Sequence, residues 1–325
     1  MPELLSIQDL SIEYNTARSR VRAVNGLDLV LNKGETLGLV GETGAGKTTT
    51  ALGIMRLVPD PPGKITGGSI YLDGENLLTK SKKEMQKIRG ERISMIFQDP
   101  MTSLNPVITI GKQVAEVVAL HKKVSAKDAE LRAQEILMQV GILPERFDEY
   151  PHQFSGGMRQ RGMIAMALAC DPELLIADEP TTALDVTIQA QVLSLMLELK
   201  KQYNTAMLLI THDLGVVAEI CDRVAIMYAG QIVEEGSLRQ VFKNPLHPYT
   251  KGLFGSLPDI HKKTRRLQPI DGFMPDPSNL PQGCYFSARC TSCTEQCRAE
   301  QAPVLEVEEG HKVRCRLCEG AGRKA

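Results

Sequence analysis

The chain carries almost no surplus charge: 38 lysine and arginine residues stand against 39 aspartate and glutamate in 325 positions. No global field therefore draws it toward nucleic acid or an anionic membrane surface. Apolar runs are short as well, and none approaches the ~18 residues of a membrane span. The opening MPELLSIQDL lacks the basic start, apolar middle and small-residue cleavage site of a secretory signal. These absences lead to the expectation of a chain that stays in the cytoplasm. Tryptophan is missing too, yet a hydrophobic content of 42% at this length suffices for two or three folding units, each with its own core. No internal repeat or low-complexity tract is evident.

What is present is more informative. The runs TLGLVG, RISMIFQ, LLIAD, AMLLITH and VAIMYAG show little alternation and are separated by helical stretches. That is the pattern of strands covered on both faces, so a mostly parallel sheet flanked by helices is expected, an α/β architecture. Between Phe97 and Asp171 the periods turn helical, as in VAEVVALHKK and AELRAQEILMQVG, which predicts a helical insertion in the α/β core.

The first strand-to-helix junction reads Gly41-Glu42-Thr43-Gly44-Ala45-Gly46-Lys47-Thr48, followed by Thr49. It fits G-x-x-x-x-G-K-[ST], in which glycines let backbone N–H groups curl around phosphate oxygens and the next helix offers its positive end. Lys47 is expected to neutralise the β and γ phosphates, and Thr48 to place its hydroxyl on a bridging Mg²⁺. LLIADEP then supplies Asp178 for the metal and Glu179 as base or orienter for an attacking water, since neighbouring residues of an extended chain point different ways. Gln98, after ISMIF, is a candidate for the metal or the water, and His212, after AMLLIT, for the γ-phosphate. Both follow strands at the edge where open α/β sheets bind ligands. Ser155, Gly156 and Gly157 open an apolar helix, a capped N-terminus suited to an anion.

Taken together with Ala183-Leu184-Asp185, these motifs and their order resemble the ATP-binding cassette (ABC) family over roughly residues 4 to 250. The resemblance implies a P-loop NTPase (RecA-like) core with an antiparallel β edge, an inserted helical subdomain at about 100–170, and a head-to-tail dimer. ATP then lies between the phosphate loop of one subunit and the Ser155-Gly156-Gly157 helix of the other. It further implies Tyr14 stacked on adenine and Asp185 among the nucleotide-site residues. Met158 stands where the family commonly has glutamine. FQDPMTSLNP, YPHQFSGGMRQR, TTALDVTIQAQ, NPLHPYT and LPQGCYF narrow the likeness to the ATPase subunits of bacterial peptide, or peptide and nickel, importers. In such systems two related ATPases, here expected as a heterodimer, sit beneath two permeases fed by an extracytoplasmic binding protein. The chain is thus expected at the cytoplasmic face of the cell membrane as a peripheral subunit, with residues 1–250 as nucleotide-binding domain and 251–325 as a C-terminal extension. A cassette ATPase acting on nucleic acid needs a long coiled coil, and only about a hundred residues separate Lys47 from Ser155. That reading, and a nickel or other small-solute importer, stay open as alternatives.

Sulfur is the sequence's excess. Cys284, Cys290, Cys293, Cys297, Cys315 and Cys318 crowd the end of the chain, and in a reducing compartment a cluster argues for metal rather than disulfides. By resemblance, Cys284, Cys290, Cys297 and Cys315 are expected to hold a 4Fe-4S cluster. The Cys290-x-x-Cys293 and Cys315-x-x-Cys318 pairs leave Zn²⁺ as the alternative. This tail lacks enough regular apolar pattern to fold unaided, so metal is expected to supply the missing stability. Cys170 and Cys221 read as packed core residues.

Overall fold

The apolar runs become strands. In chain order the computed structural model has β1 (Glu3–Asn15), β2 (Arg20–Asn32), β3 (Thr36–Val40), β4 (Gly63–Leu72), β5 (Glu75–Asn76), β6 (Ile93–Ile96), β7 (Leu174–Asp178), β8 (Ala206–Thr211), β9 (Arg223–Tyr228), β10 (Gln231–Ser237), β11 (Leu305–Glu308), β12 (His311–Val313) and β13 (Arg323–Lys324). The helices are α1 (Lys47–Ile54), α2 (Lys82–Glu91), α3 (Ile110–His121), α4 (Ala126–Gln139), α5 (Gly156–Leu168), α6 (Val186–Tyr203), α7 (Leu214–Ile220), α8 (Leu238–Lys243), α9 (Pro248–Gly255) and α10 (Glu295–Ala299). The structure describes residues 2–16, 19–99, 103–182, 184–256 and 270–320, and the backbone of 323–324. Ala183 and residues 100–102 of the FQDPMTSLNP motif lie outside these. The chain divides into two compact units, one of Met1–Ser6, Val30–Thr36 and Tyr71–Thr211, the other of Ile7–Leu29, Leu37–Ile70 and His212–Ala325.

In the first unit β6, β7 and β8 run parallel, with Ile96 beside Ala177 and Asp178 beside Ile210. Every residue of β7 and β8 is buried, as a parallel sheet covered on both faces requires. The helical insertion is real: α3, α4 and α5 pack on one another, and no strand interrupts the described residues between 103 and 171. Gly111 is what lets Phe147 lie against α3, because a Cβ there would come within 2.3 Å of the ring. Ser125 caps α4, its Oγ accepting the Asp128 N–H at 3.2 Å.

In the second unit β3 pairs parallel with β9, Val40 beside Ile226. The loop after β3 leads straight into α1. The chain then reverses: β10 runs antiparallel to β9, β12 to β10, β11 to β12 and β13 to β11. The tail therefore folds by extending a sheet. Leu305, Val313, Cys315 and Cys318 make a small buried cluster backed by Leu246 and Val307.

Beneath this extension sits a buried polar knot. Glu234 Oε1 and Oε2 accept the N–H groups of Leu246 and His247, each at 2.8 Å, and His311 Nε2 lies 2.9 Å from Oε1. Burial pushes the Glu234 carboxyl up, but these hydrogen bonds outweigh it and hold the group below the ordinary glutamate range. His247 caps α9, its Nδ1 accepting the Tyr249 N–H at 3.0 Å, and complete burial lowers its pKa to about 4. Unfolded, this imidazole takes its proton near the ordinary value of 6.5. The unfolded chain thus holds more protons between the two values, and stability is full above the higher and declines as pH falls toward the lower. The loss amounts to about 3 kcal/mol. Urea titrations of the full chain from pH 7 to 4 are expected to show it, and a His247→Asn variant, which keeps a capping oxygen, to flatten that slope. An unaltered slope in the variant rules His247 out as its source.

Candidate functional site

The phosphate loop of the second unit has the backbone that its glycines permit. Gly44 and Gly46 adopt φ of +83° and +105°, a region costly for other residues. A Cβ on Gly41 would meet the Met227 carbonyl oxygen at 2.2 Å, and one on Gly46 the Ala23 carbonyl oxygen at 2.4 Å. Lys47 is 7% exposed and donates through Nζ to the carbonyl oxygens of Gly41 at 2.7 Å and Glu42 at 3.1 Å. Its ammonium is therefore held inside the curl of the loop. The Glu42 N–H donates to Tyr249 Oη at 3.0 Å. Gly230 N–H donates to the Ala45 carbonyl at 2.8 Å, tying the loop to the strand turn beyond β9. Thr43 and Thr48 are exposed and Thr49 half-buried. Tyr14, half-buried on β1, has its ring edge 2.8 Å from where a Gly63 Cβ would stand. His212 is exposed just before α7, which Asp213 caps by accepting the Gly215 N–H at 2.8 Å.

The first unit gathers a second set. Asp178 ends β7 and is 2% exposed. Glu179, the next residue, sits at φ +47°, a backbone conformation uncommon for a non-glycine side chain and concentrated at functional sites. Its N–H donates to the Ile210 carbonyl at 2.8 Å, which fixes the turn. Gln98 Nε2 and Thr182 Oγ1 donate to the same carboxylate oxygen, Glu179 Oε2, at 2.9 and 3.1 Å. Gln98 and Glu179 are thus brought together as two strand ends predict. Thr182 was not anticipated, although it stands only three residues on in Glu-Pro-Thr-Thr.

Ser155 caps α5, its Oγ accepting the Met158 N–H at 3.4 Å, with Gly156 exposed. A side chain at Gly157 would strike Ile188 Cγ2 at 2.7 Å, so α6 packs against the helix start through that glycine. Met158 does not face an empty role: its Sδ accepts Arg146 Nη1 at 2.8 Å. Asp185 is exposed at the N-cap of α6 and makes no side-chain capping bond.

The chemistry of these donors fits ATP with Mg²⁺. In the second unit a preformed curl of backbone around a lysine suits phosphate oxygens and the Thr48 hydroxyl is a hard oxygen donor of the kind Mg²⁺ prefers; in the first unit the Asp178 carboxylate and the Gln98 carboxamide are donors of the same kind.

The sulfur expectation is corrected. Cys284, Cys290, Cys297 and Cys315 do line one pocket, together with Phe286, Ala302 and Leu317. Among the described residues, however, no group of three or more His, Cys, Asp or Glu side chains is placed to hold a metal ion. None of the eight cysteines is in a disulfide. Burial raises the thiols of Cys284, Cys290 and Cys318 and pushes Cys315 up to about 12. Neither the 4Fe-4S cluster nor the Zn²⁺ of the Cys290, Cys293, Cys315 and Cys318 pairs is supported. In this tail β11, β12 and β13 extend the sheet, and Leu305, Val313, Cys315 and Cys318 pack together.

Comparison with known proteins agrees with this geometry. The ABC transporter family model matches residues 24–182, and the model for the oligopeptide/dipeptide transporter C-terminal region matches residues 233–297. The chain is 51% identical over 324 residues to the oligopeptide transport ATP-binding protein AppD of Bacillus subtilis (strain 168), covering 99% of both. It is 49% identical to the dipeptide transport ATP-binding protein DppD of the same organism, covering 98% of this chain and 95% of that one. Neither name mentions iron or sulfur. Among solved structures, the dimeric post-hydrolysis state of the ATP-binding cassette MJ0796 bound to ADP and Pi matches at 27% identity and a TM-score of 0.65, over 72% of this chain and 99% of that one.

Proposed function

Because the chain belongs to the ATP-binding cassette ATPases of the oligopeptide and dipeptide transport type, we propose that it hydrolyses ATP to power uptake of di- or oligopeptides through membrane permeases. One observation carries the reading: a single chain joins a preformed phosphate loop to a C-terminal region of the peptide-transporter kind. No helix among the described residues is long and apolar enough to cross a membrane, which is compatible with a peripheral subunit docked to permeases at the cytoplasmic face. Val107 and Leu120 leave apolar side chains exposed on the unit that holds the helical insertion, surface of the kind a permease could cover.

The residue roles follow the donors. Residues 41–49 hold the triphosphate, with Lys47 neutralising the β and γ phosphates, and Tyr14 takes the adenine. Thr48, Asp178 and Gln98 would hold Mg²⁺, which would offset phosphate charge. Glu179 orients the attacking water and accepts its proton as the new bond to the γ phosphorus forms and the bridging oxygen leaves with ADP. His212 addresses the γ-phosphate. Ser155, Gly156, Gly157 and Asp185 serve the ATP of a second, homologous ATPase subunit, the pair closing on ATP and reopening after hydrolysis. An extracytoplasmic binding protein delivers the peptide. Residues 1–250 form the nucleotide-binding domain and 251–325 the extension.

The test is uptake. Cells lacking the chain, complemented with the parent gene or with none, are given labelled dipeptide, labelled oligopeptide and nickel. Peptide uptake is expected to depend on the chain and nickel uptake to ignore it. Peptide uptake that persists unchanged without the chain, or loss confined to nickel, sinks the reading.

A further inference from the structure

The phosphate loop contains an acidic residue, Glu42, in its second position. An anion there opposes the binding of a triphosphate unless something cancels it, since charge repulsion in a partly desolvated site is only weakly screened. The cancelling charge comes from far along the chain. Arg289 Nη1 donates to Glu42 Oε1 at 3.1 Å and Oε2 at 3.0 Å. The Arg289 side chain is only 6% exposed and that of Glu42 31%, so this ion pair lies outside the fully exposed regime in which such contacts count for little.

The arginine is itself held from every side. Its Nε donates to the Asp271 carbonyl at 3.0 Å and Nη2 to the Ile270 carbonyl at 3.3 Å. Nη1 also reaches Tyr228 Oη at 3.4 Å, and the guanidinium stands 5.8 Å and 5.9 Å from the ring centroids of Tyr228 and Phe286. Burial pushes the hydroxyls of Tyr228 and Tyr249 above the ordinary tyrosine range, so neither brings a competing negative charge. Glu42 is pinned equally: its N–H by Tyr249, its carbonyl by Lys47 and by the Ala45 N–H at 3.1 Å. From the same C-terminal stretch Met274 Cε comes within 3.1 Å of where a Gly44 Cβ would stand. Residues 270–289 thus touch the loop at both Glu42 and Gly44.

We propose that Arg289 is a positioning residue for nucleotide binding: by neutralising Glu42 it lets the C-terminal region set the affinity of the phosphate loop for ATP. The proposal rests on the reading of residues 41–49 as the ATP site. Arg289 acts through Glu42 and belongs to a segment that the motif-bearing α/β core does not include.

The experiment measures equilibrium binding of Mg-ATP to the full chain by titration calorimetry, with thermal melting as a control on folding. Arg289→Met, which keeps the stem and removes the charge, is expected to weaken ATP binding about tenfold by leaving Glu42 uncompensated. Adding Glu42→Gln to that variant removes the opposing anion and is expected to recover most of the loss. Glu42→Gln alone leaves Arg289 in excess and is expected to tighten ATP binding severalfold. A parental dissociation constant for Arg289→Met overturns the proposal. So does a double variant as weak as Arg289→Met, because a purely structural arginine is not rescued by deleting its partner's charge. Should Arg289→Met melt early, the Glu42→Gln arm decides by itself: weaker ATP binding there overturns the proposal and tighter binding supports it. A folded parent chain that binds no ATP is a different result, since it removes the nucleotide reading itself.

Discussion

Glu179→Gln is expected to slow ATP hydrolysis by about 10²–10⁴-fold, or ~3–5 kcal/mol in barrier, while ATP still binds. The side chain keeps its size, and the turn that carries it at φ +47° is held by the backbone bond to Ile210 rather than by the carboxylate. What is lost is the basicity of the carboxylate to which Gln98 and Thr182 both donate. Two donors on one oxygen fix the carboxylate's direction. An amide keeps the shape without the basicity. Phosphate release, measured beside ATP binding on the same preparation, separates the two effects. Hydrolysis at the parental rate assigns the base elsewhere, while loss of binding together with rate means that Glu179 supports the fold of the turn.

Much of this was legible in the sequence, for physical reasons. LLIAD and AMLLIT have no alternation because both faces of β7 and β8 are covered, so periodicity identified them. Gly44 and Gly46 could be placed because φ values near +83° and +105° demand glycine. The metal expectation for the tail fails because cysteine spacing does not say whether the side chains are placed to share an ion, and among the described residues no group of three or more is. Cys315 and Cys318 pack beside Leu305 and Val313 as small apolar residues do. Strands of three and four residues such as His311–Val313 and Leu305–Glu308 are too short for a period to emerge. His311 of β12 meets a buried carboxylate, Glu234, that lies 77 positions away in the chain. Arg289 was invisible for the same reason: its partner, Glu42, lies 247 positions earlier. Local pattern finds loops and strands, whereas ion pairs across the chain need the fold.

Lys47→Ala is expected to abolish binding where Glu179→Gln abolishes turnover. The ammonium is 7% exposed and hydrogen-bonded to the carbonyls of Gly41 and Glu42, so the loop keeps a buried cation in place before any phosphate arrives. Hydrogen bonds to charged groups are worth about 1.5–3 kcal/mol each. Losing the cation's contacts to two phosphates therefore predicts a fall in ATP affinity of at least ~100-fold. The curl of the loop should outlast the substitution, because its strained positions are glycines and its anchors are backbone groups, Gly230 N–H on Ala45 O among them. Lys47→Arg is expected to rescue little: the guanidinium is a planar fork, larger than the point charge it replaces, and the space inside the loop is set by backbone. Calorimetric titration of Mg-ATP into both variants checks this. An alanine variant that binds ATP as the parent does removes the phosphate site from this loop, and with it the charge balance that links Glu42 to Arg289.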